Sequence, residues 1–329
     1  MKILGIGNAI VDVICKVSDS FIDQNNLTKS TMKLFFDENE FKSLLTNLKI
    51  EKTVSGGSVA NSIVGLSQLG DKVGFIGKIS DDNFGNKYEE GLKKENVEYF
   101  YSKKKEELPT GTCLILVTPD SERTMCTFLG TAGKINESDV SSEAIKKSEI
   151  IFLEGYLWDE GEPKKAFEKA INNSNKVAMS LSDLFCVERH KPHFLEMVKN
   201  KLDITFANEQ EIISLINAKN FNEVVDFGKN LKKLLILTRG EKGAVSIFGD
   251  EVYENKVLPN LEIKDLTGAG DLFAAGYLHG FINKASPIEC LDHGRNMSAK
   301  VIQQIGKNMD MFFHIFLWVQ FFICYFLPG

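Results

Sequence analysis

Residues 265–280 read DLTGAGDLFAAGYLHG, a short glycine-rich turn between two aspartates followed by an apolar run. Gly268, Ala269 and Gly270 leave the backbone bare where the following helix begins, so their N–H groups have no partners within that helix. Together with the helix dipole, such amides stabilise anionic oxygens, including the charge that develops on a phosphoryl group in transfer. Asp271 lies in the first turn, where its carboxylate can accept a proton from a hydroxyl that attacks the phosphorus. An ordinary helix start with a dipole-complementing aspartate has the same pattern.

Two other nucleotide-binding patterns are missing from the sequence. The GK[ST] element of a Walker loop is absent from the glycine-rich stretch. The segment GIGNAI at residues 5–10 fails the dinucleotide fingerprint, because Ile10 stands where the third glycine is required. These departures disfavour a P-loop NTPase and a Rossmann dehydrogenase.

The composition is typical of a soluble globular protein with a sizeable core. The chain has 329 residues, of which 43% are hydrophobic and 26% charged, enough for one large α/β domain or two ordinary ones. A net charge of −6 argues against a nucleic-acid partner, which normally requires a basic face. The six cysteines contain no CxxC pair, so we expect reduced thiols and a cytoplasmic location.

Short apolar runs alternate with helical patterns along the chain, which predicts βαβ units and a mainly parallel α/β sheet. The expected strands are residues 2–6, 73–76, 150–153, 177–181, 203–206, 234–238 and 244–248, and the expected helices are about 58–69, 84–95, 162–172, 208–217, 222–232, 270–283 and 287–304. Ser58 is expected to cap the first of these helices and Gly70 to end it.

Two regions, residues 12–50 and 97–130, break this alternation. Both contain β-rich stretches, such as VDVICKV and TGTCLILVTP, with no crossover helix expected between consecutive strands. We expect them to form a small inserted β lid on a main domain that spans about residues 1–310. The edge of such a sheet can pair with a second copy, so a monomer and a lid-mediated homodimer both remain open.

The end of the sequence is unusual. Residues 311–327 read MFFHIFLWVQFFICYFL, which is at the short edge of a membrane span. Three interpretations of the Phe-rich tail at 311–329 are open: a terminal membrane anchor, a core segment, or sequence foreign to the ancestral protein, such as a frame-shifted end. The rest of the chain gives no reason to expect a membrane partner.

The segments EGYLWD and HKPH carry aromatic and imidazole side chains of uncertain use. Tyr156 and Trp158 follow an expected strand, as ligand-contacting loops do in open α/β sheets, so they either cover a nucleobase or pack beneath a loop. His190 and His193 have a spacing seen in zinc sites, but Pro192 is expected to interrupt a regular helix there.

Several motifs together resemble those of the ribokinase-like (PfkB-type) carbohydrate kinases. DLTGAGD is similar to the C-terminal signature of that family, and GGSVANS resembles its N-terminal glycine motif in the form seen in adenosine kinases. The remaining similarities are GKISDDNFG at 77–85, NEQE at 208–211 and TRGEKG at 238–243. The motifs occur in family order and cover residues 1 to about 306. The resemblance implies a three-layer α/β/α fold with a β lid, and the activity of an ATP-dependent kinase.

The resemblance assigns substrate-binding roles to four residues. Asp12 would accept hydrogen bonds from paired hydroxyls of a sugar or ribose at the base of the lid. Gly56, Gly57 and Asn61 would line the same pocket. For Asp12 alone, the residue pattern equally fits a turn at a strand end.

The resemblance also assigns residues to the nucleotide and its metal. Asn208 and Glu211 would orient water around Mg²⁺, and the same pair is typical of an N-cap with a capping-box glutamate. The nucleotide-binding set would be Thr238, Gly240, Gly243, Asp265, Thr267 and Asn296. Monovalent-cation stimulation by K⁺ is a further property that the resemblance suggests.

Arg123 lies where members similar to adenosine kinase carry an arginine that reaches toward the phosphates. A planar guanidinium suits a phosphoryl group whose charge is spread over its oxygens. A solitary surface arginine has the same appearance in the sequence.

Two departures from the family pattern bear on these expectations. Leu266 replaces the threonine of the usual DTxGAGD, and the Phe-rich tail replaces the usual C-terminal segment. Both put K⁺ stimulation and ATP affinity in question.

The sequence therefore predicts an ATP-dependent kinase that acts on a primary hydroxyl of a purine nucleoside. Arg123, the motif GGSVANS and the loop EGYLWD favour the nucleoside. A PfkB-type sugar kinase acting on ribose, fructose or a related sugar is the alternative, and a non-catalytic nucleotide or nucleoside sensor is an alternative of another class.

Overall fold

The computed structural model describes residues 1–120, 122–159 and 161–303. The Phe-rich tail, on which three interpretations were left open, lies outside these residues. Within them no helix is long and apolar enough to cross a membrane.

Nine strands form the main sheet of the described chain, in the order β14-β13-β12-β11-β10-β9-β1-β5-β6. Their bounds are β1 Ile3–Ile6, β5 Val73–Ile76, β6 Glu98–Tyr99, β9 Ile150–Glu154, β10 Val177–Ser180, β11 Ile204–Asn208, β12 Leu234–Thr238, β13 Ala244–Phe248 and β14 Glu251–Asn255. All neighbouring strands from β12 to β6 are parallel, whereas β13 runs antiparallel to both of its neighbours. The chain leaves β1 toward β5 and later returns to β9 on its other side, which creates a crevice at the carboxyl ends of these strands.

Helices cover both faces of the main sheet, so the central strands are buried on both sides and read as continuous apolar runs. The helices are α1 Asp19–Gln24, α2 Glu38–Thr46, α3 Ser58–Gln68, α4 Asn83–Lys94, α5 Ser142–Lys146, α6 Glu162–Asn173, α7 Leu184–Asn200, α8 Glu209–Ile216, α9 Phe221–Leu231, α10 Ala269–Ile282 and α11 Pro287–Ile302. Ile3 and Phe152 belong to one apolar core with α3 and α10, and Leu4 and Leu153 to another with α6 to α9. This arrangement confirms the predicted ribokinase-like three-layer α/β/α fold.

A second sheet of five strands, in the order β3-β8-β7-β2-β4, is built from two separate excursions of the chain. Its strands are β2 Ile10–Lys16, β3 Met32–Phe35, β4 Ile50–Gly56, β7 Gly111–Val117 and β8 Arg123–Phe128. Within residues 12–50, α1 lies between β2 and β3 and α2 between β3 and β4, and the sequence analysis did not predict these two helices. Their side chains Ile22 and Phe41 pack into the apolar core behind the second sheet.

The helix α7 is the main element that the sequence analysis did not anticipate. Pro192 was expected to interrupt regular structure, yet the chain is helical on both sides of it. The cost of the proline is confined to a kink at His190, whose backbone is non-helical (φ −119°, ψ 20°).

Candidate active site

A cavity of about 580 Å³ lies at the carboxyl ends of the central strands and is also lined by the second sheet. Asn8 follows β1, Glu154 ends β9, Asn208 ends β11 and Thr238 ends β12, and all four line it. Parallel strands present their carboxyl ends at one edge of a sheet, so residues distant in the sequence meet there.

Asp271 lines this cavity from the first turn of α10, and α3 holds its carboxylate on both sides. Ser58 Oγ donates to Asp271 Oδ1 (2.6 Å), and Asn61 Nδ2 donates to Oδ2 (2.7 Å). The prediction that Ser58 caps α3 is wrong, because Gly57 (φ +100°) occupies the capping position and Ser58 is the first helical residue. Its hydroxyl is thereby released to contact Asp271.

A close approach of α3 and α10 brings these side chains together. A Cβ atom on Gly65 would lie 2.9 Å from a methyl carbon of Leu272 and 3.0 Å from the Cβ of Ala275, so a larger residue would push the helices apart. Ser62 Oγ also donates to the carbonyl of Asp271 (2.8 Å). The position of Asp271 therefore depends on helix packing as well as on its own backbone.

The predicted anion-binding amides at residues 268–270 are partly available. Gly268 has φ +80°, and it precedes α10 without any side-chain cap. The Ala269 N–H donates to the carbonyl of Leu266 (3.1 Å), whereas the amides of Gly268, Gly270 and Asp271 donate to no acceptor in the described part of the chain. An anion at this helix start would therefore meet three uncommitted amides and the positive end of the dipole.

Asp12 lies on β2, at the side of the cavity formed by the second sheet. Its carboxylate rests against Gly56, where a Cβ atom would approach Asp12 Oδ2 to 2.5 Å. Gly57 and Asn61 line the same cavity. Asn8 Oδ1 is buried there and has no hydrogen-bond partner among the described residues. The predicted substrate-binding residues therefore share one cavity with Asp271, except that Gly56 lies behind Asp12 and is not itself part of the lining.

Glu154 is a residue that the sequence analysis missed. It ends the apolar run of β9, and its side chain is 1% exposed. Its Oε1 accepts the N–H of Asn8 and its Oε2 accepts the N–H of Val59, both at 2.8 Å. Burial raises the pKa of this carboxyl to about 7 against the opposing effect of the two backbone hydrogen bonds, and the nearby charge of Asp271 raises it further. The polar end of an otherwise apolar strand was the available signal.

Asn208 and Glu211 form a complete capping box at the start of α8. Asn208 Oδ1 accepts the Glu211 N–H (2.8 Å), and Glu211 Oε2 accepts the Asn208 N–H (3.0 Å). Glu211 is buried, which raises its pKa to about 7 although the hydrogen bonds from Asn208 oppose the shift. Both residues line the cavity, so the capping role and a role toward a ligand are compatible.

The predicted nucleotide-binding residues are only partly brought to this cavity. Thr238 and Thr267 line it, whereas the remaining members of the set do not. The residues outside the lining are Gly240, Gly243, Asp265 and Asn296. Asn296 is exposed on α11, and Gly243 adopts φ +90° with its Cα hydrogen facing the carbonyl of Asn255.

Arg123 forms an ion pair with Asp265 (Nη1 to Oδ2, 2.7 Å), and the two side chains are only 15% and 11% exposed. Arg123 starts β8 in the second sheet, and Asp265 begins the glycine-rich stretch before α10. Asp265 Oδ1 also accepts the N–H of Thr267 (3.0 Å). The pair therefore connects the second sheet to the loop that carries the anion-binding amides.

Tyr156 and Trp158 both line the cavity, but their surroundings differ. Tyr156 is substantially exposed, whereas Trp158 is buried between His190 (ring centroids 4.6 Å apart) and His193 (4.8 Å). The two imidazoles of HKPH therefore pack against the ring of Trp158. Across the described ranges no group of three or more His, Cys, Asp or Glu residues could hold a metal ion.

Comparisons with known proteins agree with the class that the fold and the cavity define, an α/β kinase of the ribokinase type. Residues 15–311 match the pfkB family carbohydrate kinase, and the chain belongs to this family. It is similar to the solved structure of adenosine kinase from Sinorhizobium meliloti, with 34% identity, a TM-score of 0.84 and coverage of 92% of this chain and 94% of that one. A probable sugar kinase from Rhizobium etli CFN 42 is also 34% identical, with a TM-score of 0.82 and coverage of 92% and 93%.

The curated relatives likewise include kinases named for two different acceptors. A 5-dehydro-2-deoxygluconokinase of Mesomycoplasma hyopneumoniae is 24% identical over 84% of this chain and 86% of its own length. An adenosine kinase of Schizophyllum commune is 25% identical over 93% and 96%. The chain is thus a phosphotransferase that acts on a hydroxyl group, and family membership implies ATP as its co-substrate. None of the relatives named here is a non-catalytic sensor, so these comparisons lend that alternative no support.

Proposed function

We propose that the protein transfers the γ-phosphoryl group of ATP to a primary hydroxyl of a purine nucleoside. The observation that carries the proposal is the apolar lining of the cavity. The second sheet contributes mostly apolar side chains to it, namely Ile10, Met32, Leu34, Cys113 and Met125, and Leu129 follows directly after β8. The loop after β9 adds Tyr156 and Trp158. A nucleobase has flat apolar faces that such a wall can cover, and Asp12 supplies the acceptor for a pair of ribose hydroxyls.

The chemistry assigned to the site follows from Asp271 and the amides at the start of α10. Asp271 takes the proton of the acceptor hydroxyl as the new O–P bond forms and the bond from the γ-phosphorus to the bridging oxygen of ADP breaks. The amides of Gly268 and Gly270 stabilise the charge on the transferred group, with Ala269 shaping the turn. Arg123 would exchange Asp265 for the phosphate oxygens. We further propose that the second sheet acts as a lid that excludes water on a domain spanning about residues 1–310.

Asn208 and Glu211 are suited to hold a magnesium ion through its water molecules and not by direct coordination. Both carboxylate oxygens of Glu211 already accept hydrogen bonds from Asn208, so Asn208 and Glu211 would orient the water molecules around Mg²⁺. When bound, Mg²⁺ neutralises phosphate charge. Thr238, Thr267 and the surrounding loop residues Gly240, Gly243 and Asn296 are proposed to border the nucleotide. K⁺ stimulation, a cytoplasmic location and the choice between a monomer and a lid-mediated dimer are proposals that rest on the family resemblance or the composition.

The alternative acceptor is a sugar or sugar acid, which the curated 5-dehydro-2-deoxygluconokinase relatives and the probable sugar kinase favour. The anion of a sugar acid requires a cationic partner. Among the described residues that line the cavity, Arg189 is the one basic side chain apart from His190. Its guanidinium is already held by both oxygens of Asp159 (3.1 and 3.2 Å). A sugar acid would have to displace Asp159 from Arg189, a cost that an uncharged nucleoside does not incur.

The test is product formation from Mg-ATP with adenosine, inosine, guanosine, ribose, fructose and 5-dehydro-2-deoxygluconate offered separately. A nucleoside monophosphate as the main product supports the proposal, and a sugar phosphate alone would replace it by the alternative. Two matched variants sharpen the result. Met125→Glu is expected to impair a nucleoside kinase by about tenfold or more in kcat/KM, because it buries a charge against the base. Arg189→Met is expected to impair only a kinase of a sugar acid.

A further inference from the structure

The carboxyl of Glu154 sits in an unusual environment for a buried acid. It is among the least exposed charged groups of the described chain, and its two oxygens accept hydrogen bonds from the backbone amides of Asn8 and Val59 rather than from a cation. Charged groups in protein interiors are normally neutralised by a counter-ion, since burial of an isolated charge is costly. The raised pKa of Glu154 expresses that cost. A fold retains such a group at an active site when its hydrogen bonds hold something in place.

What Glu154 holds is the beginning of α3. Gly57 precedes this helix and provides no side-chain cap, so the amides of the first turn need another acceptor. Glu154 Oε2 accepts the Val59 N–H from a position 95 residues later in the chain. Its other oxygen accepts the N–H of Asn8, in the turn that leads from β1 into β2. One carboxylate thus acts as a remote cap for α3 and ties that helix to the β1–β2 turn.

The capped turn of α3 is the segment that holds Asp271. Ser58 is adjacent to Val59, and Asn61 lies one half-turn further along; their side chains donate to the two oxygens of Asp271. A shift of the helix start would move both donors and change the direction of the Asp271 carboxylate. Misplacement by about 1 Å at such a site can lower a rate about a hundredfold.

We propose that Glu154 is a positioning residue for phosphoryl transfer, which through Val59 and Asn8 fixes Ser58 and Asn61 and so presents Asp271 to the acceptor hydroxyl. The inference rests on the proposed function, because it gives Asp271 the role of the base. Glu154 itself makes no transfer step. Its effect should therefore be on turnover and not on substrate affinity.

The first test is Glu154→Gln, which keeps the shape of the side chain but places an amide donor against one of the two N–H groups. We expect kcat to fall roughly 10- to 100-fold, while KM for the acceptor and for ATP stays within about threefold. The matched control is Asp139→Asn, which alters a buried carboxylate paired with Lys78 (2.9 Å) outside the cavity lining. It is expected to lower the melting temperature without lowering kcat. An unchanged kcat in Glu154→Gln, or a loss confined to KM, would overturn the proposal.

A double variant tests whether Glu154 acts through α3. Ser58→Ala removes one donor to Asp271, so its effect overlaps with that of Glu154→Gln. The combined loss in kcat is expected to fall short of the product of the single losses by about threefold or more. Full multiplication would mean that Glu154 acts by another route. If Glu154→Gln fails to fold, Glu154→Asp provides the same readouts, because it keeps the charge and loses only reach.

Amide exchange separates this inference from the proposed function. In Glu154→Gln, at least one of the amides of Val59 and Asn8 should exchange about tenfold faster or more than in the wild type, and the side-chain amide resonances of Asn61 should shift. Unchanged exchange and resonances would refute the positioning role whatever the activity. If the wild type phosphorylates none of the acceptors while Glu154→Gln still shows faster exchange and shifted resonances, Glu154 holds the start of α3 as inferred and only the proposed function is overturned.

Discussion

The main sheet and the second sheet line the same cavity with side chains of different kinds. The elements of the main sheet contribute the carboxyls of Asp271, Glu154 and Glu211 together with the bare amides of α10. The second sheet contributes mostly apolar groups, with Asp12 as the acidic exception. Under the proposed function, we expect the main-sheet side of the cavity to carry out the reaction and the second sheet to recognise the acceptor. Variants on the two sides should therefore differ in whether kcat or KM changes.

Asp271→Asn is expected to produce the largest effect. Removal of the base should lower kcat by about a hundredfold or more, because general-base catalysis typically contributes about 10²- to 10⁴-fold. Asparagine has one acceptor oxygen in place of two, so it can keep the hydrogen bond from Ser58 or from Asn61 but not both in their present geometry. A modest fall in melting temperature is therefore expected. Steady-state kinetics with saturating Mg-ATP provide the measurement. A variant with near-normal turnover would show that Asp271 is not the base.

Asp12→Ala tests the opposite side of the cavity. The loss of a carboxylate that accepts from two hydroxyls should raise KM for the acceptor roughly a hundredfold or more, since hydrogen bonds to charged groups contribute about 1.5–3 kcal/mol each. The KM for ATP and kcat should remain within about threefold. A lower kcat with an unchanged acceptor KM in Asp12→Ala would contradict the assignment of acceptor recognition to the second sheet.

The ion pair between Arg123 and Asp265 connects the two sides, so its removal should affect both. Arg123→Met is expected to lower kcat/KM for ATP about tenfold, since a guanidinium can bind phosphate oxygens in the closed state. Asp265→Asn serves as the partner in a double-mutant cycle on thermal stability, where a coupling of about 1 kcal/mol is expected for a pair this poorly exposed. Additive effects on stability would show that the contact contributes nothing to holding the second sheet.

A further prediction concerns the pH dependence of stability, which is a gradual change and not the loss of a catalytic group. The pKa of Glu154 is about 7 in the folded protein against an ordinary value of 4.5. Because the folded state binds the proton more tightly, the stabilisation is complete below about pH 4.5 and is lost as pH rises through about 7. This stabilisation of the folded state amounts to at most about 3 kcal/mol.

Measuring the free energy of unfolding in denaturant from pH 4.5 to 8 should show this decline, with a smaller slope in Glu154→Gln. The remaining slope is expected from Glu211, whose pKa is raised in the same direction. Equal slopes would contradict the shift assigned to Glu154.

Much of this architecture could be predicted from local patterns. The central strands are apolar runs of four or five residues, and the helices begin at recognisable signals, such as the Ser286 capping box of α11. The helix α7 was missed because Pro192 is a strong local breaker, whereas burial of Phe194 and Val198 against the sheet outweighs the loss of one hydrogen bond. The short helices α1 and α2 were missed because their six and nine residues carry little periodic signal.

The sequence predicted which residues belong to the candidate site better than it predicted which residues contact each other there. Asp271, Asp12, Asn61, Asn208 and Glu211 were all expected, and the structure places them around one cavity. Their roles remain proposals. The interpretation of Ser58 as a cap was wrong because the positive φ of Gly57 is invisible in the sequence. Glu154 was missed because a glutamate after four apolar residues looks like the end of a strand.

Local sequence specifies the alternation of strands and helices, the glycine-rich start of α10 and the family motifs, because each depends on neighbours within a few residues. The partners of Asp271, Arg123 and Glu154 are set instead by tertiary packing. Asp271 lies 213 residues from Ser58, and Glu154 lies 95 from Val59. Contacts at such separations are fixed by the packing of α3 against α10 and of β1 between β5 and β9, and no local pattern encodes them.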